Sequence, residues 1–153
     1  MTPLTLRKAD REDLPAILDL YVRAGLDQAE KVDLSATARI WERMQQYPNY
    51  AVYLAVQADE VVGTFALLIM DNLAHHGTPA GIVEDVAVSP AHQGQGIGTA
   101  MMQFAMEECR KAGCYKLSLS SNLQREAAHR FYEGLGFKKH GFSFVVEEHS
   151  VKD

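Results

Sequence analysis

Three glycines at alternate positions, Gly94, Gly96 and Gly98, stand between an apolar stretch and the start of a long amphipathic pattern. The full run, Glu84-Asp85-Val86-Ala87-Val88-Ser89-Pro90-Ala91-His92-Gln93-Gly94-Gln95-Gly96-Ile97-Gly98-Thr99, reads as a strand, a short turn, a glycine-rich loop and a helix start. The first amides of a helix have no intrahelical partner and sit at the positive end of its dipole. Glycines just ahead of them leave the backbone open to a ligand. Such a loop is built to hold an anion, most simply a phosphate or pyrophosphate. Just upstream, Glu84 places a carboxylate in an apolar strand, on one face with Val86 and Val88 by the period of two, with Asp85 on the other face. Burying a charge there is costly, and that cost makes a carboxylate a better proton acceptor. The pattern points to an enzyme that holds a phosphate-bearing cofactor.

The elements that must position these residues follow from periodicity and punctuation. Residues 4–8 alternate as a first strand. Asp10 or Asp13 caps a helix with Leu14, Ile17, Leu18, Tyr21 and Val22 at helical spacing, and a second helix over residues 35–46 carries Ala36, Ile40, Trp41 and Met44 as its buried stripe before Pro48. Residues 50–57 and 61–70 form a hairpin across Ala58-Asp59-Glu60, residues 71–79 are a loop, and residues 81–88 are the strand feeding the glycines. A long helix over 96–112 ends at Gly113, with Arg110 and Lys111 suited to its negative end. A strand over 115–120, a helix over 125–134 stopped by Gly134-Leu135-Gly136, and strands over 137–139 and 142–147 complete the chain. This order predicts one domain spanning residues 1–153. Its fold class is mixed α/β (α+β), a mostly antiparallel central sheet flanked by helices with one βαβ unit.

Bulk properties narrow the function. The chain has 153 residues, 47% of them hydrophobic, which suits one core and excludes a disordered linker. A net charge of -5 argues against a nucleic-acid binder, so no nucleic acid is expected as partner. It also means that a polyanionic cofactor must be held by local amides and a few placed cations. Cys109 and Cys114 do not suggest a disulfide framework, the N-terminus shows no signal-peptide pattern, and no apolar run approaches the roughly 18 residues of a membrane span. A cytoplasmic protein with no membrane partner is expected. His75 and His76 are adjacent and cannot readily ligate one metal together, so no metal site is expected.

Three kinds of phosphate loop compete for the glycines. A nucleoside-triphosphate loop needs a lysine before its Ser/Thr, and Gly98-Thr99 has none. A dinucleotide fingerprint starting at Gly94 needs a third glycine where Thr99 stands. The third pattern, Gln/Arg-x-x-Gly-x-Gly/Ala after a Val-x-Val-x-Pro strand, is met by Gln93-Gly94-Gln95-Gly96-Ile97-Gly98 after Val86-Ala87-Val88-Ser89-Pro90. With Ala128-His129-Arg130-Phe131-Tyr132-Glu133-Gly134-Leu135-Gly136-Phe137 later in the chain, residues 50–144 resemble the GNAT superfamily of N-acetyltransferases.

The resemblance implies a splayed central strand pair, in which the strand of Val86 and Val88 parts from the strand ending near Ser120. It implies acetyl-CoA as acetyl donor, its pyrophosphate on the backbone of Gln93, Gly94, Gln95, Gly96, Ile97, Gly98 and Thr99, and its pantetheine arm against Val86 and Val88. A backbone N–H near Val86 to Val88 polarises the thioester, and Asn122 is placed to hydrogen-bond the coenzyme or a water. Tyr132 takes the position of the acid for the departing thiolate. Glu84 becomes the leading general base, directly or through a water, with Asp85 as runner-up. The separation of Asn122 from Tyr132 and the pair His75-His76 resemble the aminoalkylphosphonate N-acetyltransferase branch, which implies a small polar primary amine as acceptor. Arg125, Arg130, His75, His76 and His140 are open as contacts to coenzyme or acceptor. A catalytically silent acyl-CoA sensor and a protein N-acetyltransferase stay as alternatives. Phe142, Phe144 and Val146 along a late edge strand predict a homodimer.

Overall fold

A computed structural model describes residues 2–28 and 33–147. Five strands, β1 (Leu4–Lys8), β2 (Tyr50–Gln57), β3 (Glu60–Met70), β4 (Ala80–Val88) and β5 (Lys116–Ser118), lie side by side in chain order. The first four pair antiparallel, and β5 runs parallel to β4. A parallel neighbour requires a crossover, supplied by α3 (Ile97–Ala112). The other helices are α1 (Leu14–Arg23), α2 (Leu34–Met44) and α4 (Glu126–Gly134). The β2–β3 turn places Ala58 and Asp59 at φ of 50° and 62°, the left-handed pair that a two-residue hairpin requires.

The sheet separates two cores by strand alternation. On one face Tyr53, Ala55, Phe65, Leu67 and Val83 pack against Ile97, Met101, Met102, Ala105 and Cys109 of α3 and Tyr132 of α4. On the other, Val52, Leu54 and Ala66 pack against Ile17, with Tyr21, Trp41 and Met44 at the margin. The stripe expected on α2 is shallower than its spacing suggests. No residue of α2 is fully buried, and Ile40 is 48% exposed, because this helix meets the sheet only through Trp41 and Met44. Of the two candidate caps at the first helix, Asp10 serves the short 3-10 turn Arg11–Asp13. Asp13 is held instead by Arg7 at 2.7 Å and 2.8 Å, which keeps its carboxyl down at about 2.

Two expectations for the last third do not hold. The strand expected over 115–120 shortens to Lys116–Ser118, and residues 137–147 form no strand. Strand pairing needs an edge to pair with, and β5 offers only three residues. Phe142, Phe144, Val145 and Val146 are consequently exposed, although Ser143 keeps its hydroxyl 3.0 Å from that of Ser120.

The junction of β4, β5 and α3 is close-packed. A Cβ on Gly81 would lie 2.3 Å from Cys109 Sγ and 3.1 Å from Leu117 Cδ1. Overpacking of this kind costs about 1–3 kcal/mol. Gly81→Ala is expected to lower Tm by about 5 °C, and adding Cys109→Ala to recover most of the loss, in a thermal melt. A Gly81→Ala protein as stable as wild type contradicts this packing.

Candidate active site

The centre of the site is a break in β4. Glu84 pairs with Ala66 but Ala87 pairs with Thr64, so three steps on β4 answer two on β3. The extra residue is a β-bulge, marked by Asp85 at φ 53°. On the other side of β4, pairing with β5 stops at Ile82 and Ser118. From Val83 to Val88 that edge of β4 has no strand partner among the described residues. This is the geometry of a splayed pair, whose free edge offers main-chain groups with which an extended ligand can pair.

The bulge changes which side chains share a face. Opposed residues of a ladder lie on one side of the sheet, so Glu84 goes with Ala66 toward α1. Val86 and Val88 pack against the core beneath α3. The expected common face of Glu84, Val86 and Val88 is therefore corrected by the inserted residue. Glu84 is exposed, so the burial argument does not apply to it. Asp85 is the carboxyl pushed upward, by desolvation first and then by the negative charge of Asp27. Its charge acts on Tyr21 of α1 and Tyr50 of β2, and Glu84 also acts on Tyr50. Burial is the main cause raising both phenols. Tyr47 stacks on Tyr50 with centroids 5.8 Å apart. The wall facing α1 is thus built of carboxylates and tyrosines. Sequence reading missed Tyr21, Tyr50 and Asp27 because helical spacing marks Tyr21 only as core, and nothing local marks the others.

The glycine loop follows a 3-10 turn, Pro90–His92. Gly94 and Gly96 have φ of 78° and 81°, and a Cβ on either would meet nothing within 4 Å. They supply left-handed turns that face open space. Gly98 has a different reason: its Cβ would lie 3.1 Å from Phe131 Cζ, so its absence lets α3 and α4 approach. Ile97 is 2% exposed and anchors the loop in the core, which leaves only its amide to offer. No side chain caps α3, and the first of its amides to find an acceptor is that of Ala100, on Gly96 O at 3.0 Å. Among the described residues, no amide from Gln93 to Thr99 donates a hydrogen bond to protein. A row of free amides at a helix N-terminus suits a phosphate group.

Tyr132 is 9% exposed on α4, its ring 5.1 Å from that of Phe131 and 5.7 Å from that of Phe137. Burial raises its phenol, and Arg125 opposes the rise. A phenol is a weaker acid than a thiol, and burial weakens this one further, so it passes a proton to a thiolate only uphill. The hydroxyl is therefore suited to donating a hydrogen bond to a departing sulfur. It makes no hydrogen bond among the described residues, yet it is not one of the sealed polar atoms, of which Ser121 Oγ is the one without a partner. The carboxamide oxygen of Asn122 accepts from Gln124 N at 2.9 Å, and its carbonyl accepts from Arg125 N and lies 2.8 Å from His129 Nε2. Asn122 thereby shapes the turn into α4, and only its side-chain NH2 stays available. His75 and His76 precede β4, at the end away from the glycine loop, where His75 stacks on Tyr115 at 4.2 Å. His140, Arg125 and Arg130 are exposed.

Among the described residues, no group of three or more His, Cys, Asp or Glu is placed to hold a metal, and no helix is long and apolar enough to cross a membrane.

Comparison with known proteins adds an independent line. The acetyltransferase (GNAT) family profile matches residues 14–137. Over 98 residues the chain is 39% identical to the aminoalkylphosphonate N-acetyltransferase of Salmonella typhimurium, a match covering 64% of this chain and 63% of that protein. It is 31% identical over 144 residues to the glucosamine 6-phosphate N-acetyltransferase of Trypanosoma brucei brucei, with 90% of each covered. The crystal structure of a Trypanosoma brucei acetyltransferase superposes with a TM-score of 0.84 at 28% identity, covering 95% of this chain and 99% of that one.

Proposed function

The chain belongs to the acetyltransferase (GNAT) family, and on that premise we propose that it transfers an acetyl group from acetyl-CoA to the primary amine of a small polar acceptor by direct attack. The observation that carries this reading is the junction of a bulged, half-unpaired β4 with a loop of free amides at the head of α3. The amides from Gln93 to Thr99 hold the pyrophosphate, the free edge of β4 holds the pantetheine arm, and a main-chain N–H near Val86 to Val88 polarises the thioester carbonyl. Glu84 takes a proton from the amine, directly or through a water. The nitrogen attacks the carbonyl carbon, the C–S bond breaks, and Tyr132 hydrogen-bonds the departing thiolate. Of the two protons lost by an ammonium nitrogen, one ends on sulfur and one in solvent.

A second assignment of the base is favoured by one observation: Asp85, exposed like Glu84, sits in the bulge where desolvation and the charge of Asp27 push its carboxyl upward. The carboxylate and tyrosine wall suits an ammonium approaching from the α1 side. The two relatives named for phosphorus-bearing amines support a small acceptor with an anionic end, for which Arg125, Arg130, His75, His76 and His140 are the candidate contacts. The presence of Glu84 and Tyr132 together favours an enzyme over a silent acyl-CoA sensor, and the acidic net charge of -5 gives no special reason to expect an acidic protein as substrate.

The base is tested by pH profiles of kcat/KM. Glu84→Gln is expected to flatten the acidic limb. An unchanged limb, with the flattening in Asp85→Asn instead, transfers the role to Asp85. Stability separates them further. A carboxyl raised in the folded state stabilises the fold below its unfolded value, near 3.9, and loses that contribution as pH rises. Asp85→Asn is therefore expected to raise Tm at pH 7.5 and leave it unchanged at pH 3, with asparagine tolerating the left-handed backbone. A lower Tm at pH 7.5 contradicts the strained carboxylate.

The reading includes a cytoplasmic enzyme that forms a homodimer. Phe142 and Phe144, 81% and 92% exposed, flank Ser143, which contacts Ser120 just past the sheet-edge strand β5, and they support pairing with a second copy. Light scattering at micromolar concentration is expected to give twice the 17.0 kDa chain mass, reduced to one chain in Phe142→Ser/Phe144→Ser. A wild-type mass of 17.0 kDa contradicts the dimer.

A further inference from the structure

Ser89, between β4 and the turn that leads to the glycine loop, is fully buried although polar. Its amide donates to Val62 O at 2.8 Å. Its hydroxyl accepts from Arg23 Nη1 at 3.1 Å and lies 3.1 Å from His92 Nδ1. Arg23 closes α1, where its Nε donates to Asp19 Oδ2 at 2.8 Å. A serine hydroxyl has one proton and two lone pairs. With Arg23 donating into it, the hydroxyl keeps its own proton and one lone pair for His92 Nδ1, whose other ring nitrogen, Nε2, faces Glu60 Oε2 at 3.9 Å. These contacts join a helix on one face of the sheet to the last residue before Gln93.

The glycine loop itself has neither a side-chain cap nor an amide bonded to protein among the described residues. Its path is therefore set at its two ends. Ile97 in the core fixes one, and Ser89 with His92 fixes the other. We propose that Arg23, Ser89 and His92 form a positioning relay that holds the loop for the coenzyme and ties it to α1, the helix that also carries Tyr21 into the carboxylate wall. The relay rests on the reading that this loop binds acetyl-CoA. Its three residues touch neither the amine nor the thioester. Their loss should weaken donor binding and spare turnover at saturation.

Calorimetric titration of acetyl-CoA into wild type, Ser89→Ala, Arg23→Gln and the double variant tests the relay, with steady-state kinetics alongside. Arg23 lies at a half-exposed helix end, so Arg23→Gln keeps the test open if Ser89→Ala folds poorly. The expected result is about tenfold weaker binding in each single variant, no further loss in the double, and kcat within about twofold of wild type. Folded variants that bind as tightly as wild type overturn the relay and leave the donor reading intact. Losses that simply multiply in the double variant also overturn it, because independent contacts do not form a chain. A wild-type protein that binds no acetyl-CoA overturns the donor reading and the relay with it.

Discussion

Gly96→Val is expected to bind acetyl-CoA at least a hundredfold more weakly than wild type. Two effects act together. At φ 81° a β-branched residue is strained by about 1–2 kcal/mol, so the backbone moves toward a right-handed conformation and turns its amides away. The open space in front of the loop is also where the new side chain must go. Each hydrogen bond to a charged phosphate contributes about 1.5–3 kcal/mol, so losing two suffices for a hundredfold effect. The loop lies at the surface, so a folded protein is expected by circular dichroism. Calorimetry then reads the affinity. Undiminished binding in the folded variant removes the loop from the mechanism.

Tyr132→Phe is expected to lower kcat by about a hundredfold or more, the usual scale for losing a hydrogen-bond donor aimed at charge that develops in the transition state. Acetyl-CoA affinity should change little, because the ring keeps its packing against Phe131 and Phe137 and only the hydroxyl is removed. A fall in kcat with Kd unchanged places the lost interaction in the transition state. The altered hydroxyl leaves a protein at least as stable, since it makes no hydrogen bond among the described residues. A kcat within threefold of wild type means that Tyr132 is a core aromatic and that the thiolate departs without it.

The contrast between what local sequence shows and what it hides is physical. The glycine loop, the Ala58-Asp59 turn and the face of α3 were legible because each depends on neighbouring residues: left-handed backbone, helix-end amides, apolar spacing; on α1 the spacing marked Leu14 and Ile17 but not the fully buried Leu20. The bulge at Asp85 was not. An aspartate at φ 53° carries no local mark, and a period of two presumes a regular strand, so one inserted residue moved Glu84 away from Val86 and Val88. Gly98 offers its amide with its neighbours, but what requires it to lack a side chain is Phe131, remote in sequence. The alternation of Phe142, Phe144 and Val146 states a preference for strand, but a strand also needs an open partner edge, which β5 supplies for three residues only. Ser89 gave no signal, since its burial between Arg23 and His92 is a tertiary fact. Residues 29–32, which follow α1 and precede α2 in the chain, lie outside the described residues.

The measurement that bears most directly on the central claim is thiol release from acetyl-CoA, screened over amino acids, aminophosphonates, amino sugars, polyamines and peptides, with mass spectrometry of each amine. The expected result is thiol formed in step with one acetyl group gained by a small primary amine, strongest among those that also carry a phosphonate or phosphate, and abolished in Gly96→Val. Tight binding of acetyl-CoA with no thiol released above the uncatalysed rate for any amine contradicts an acetyltransferase and leaves an acyl-CoA sensor in its place.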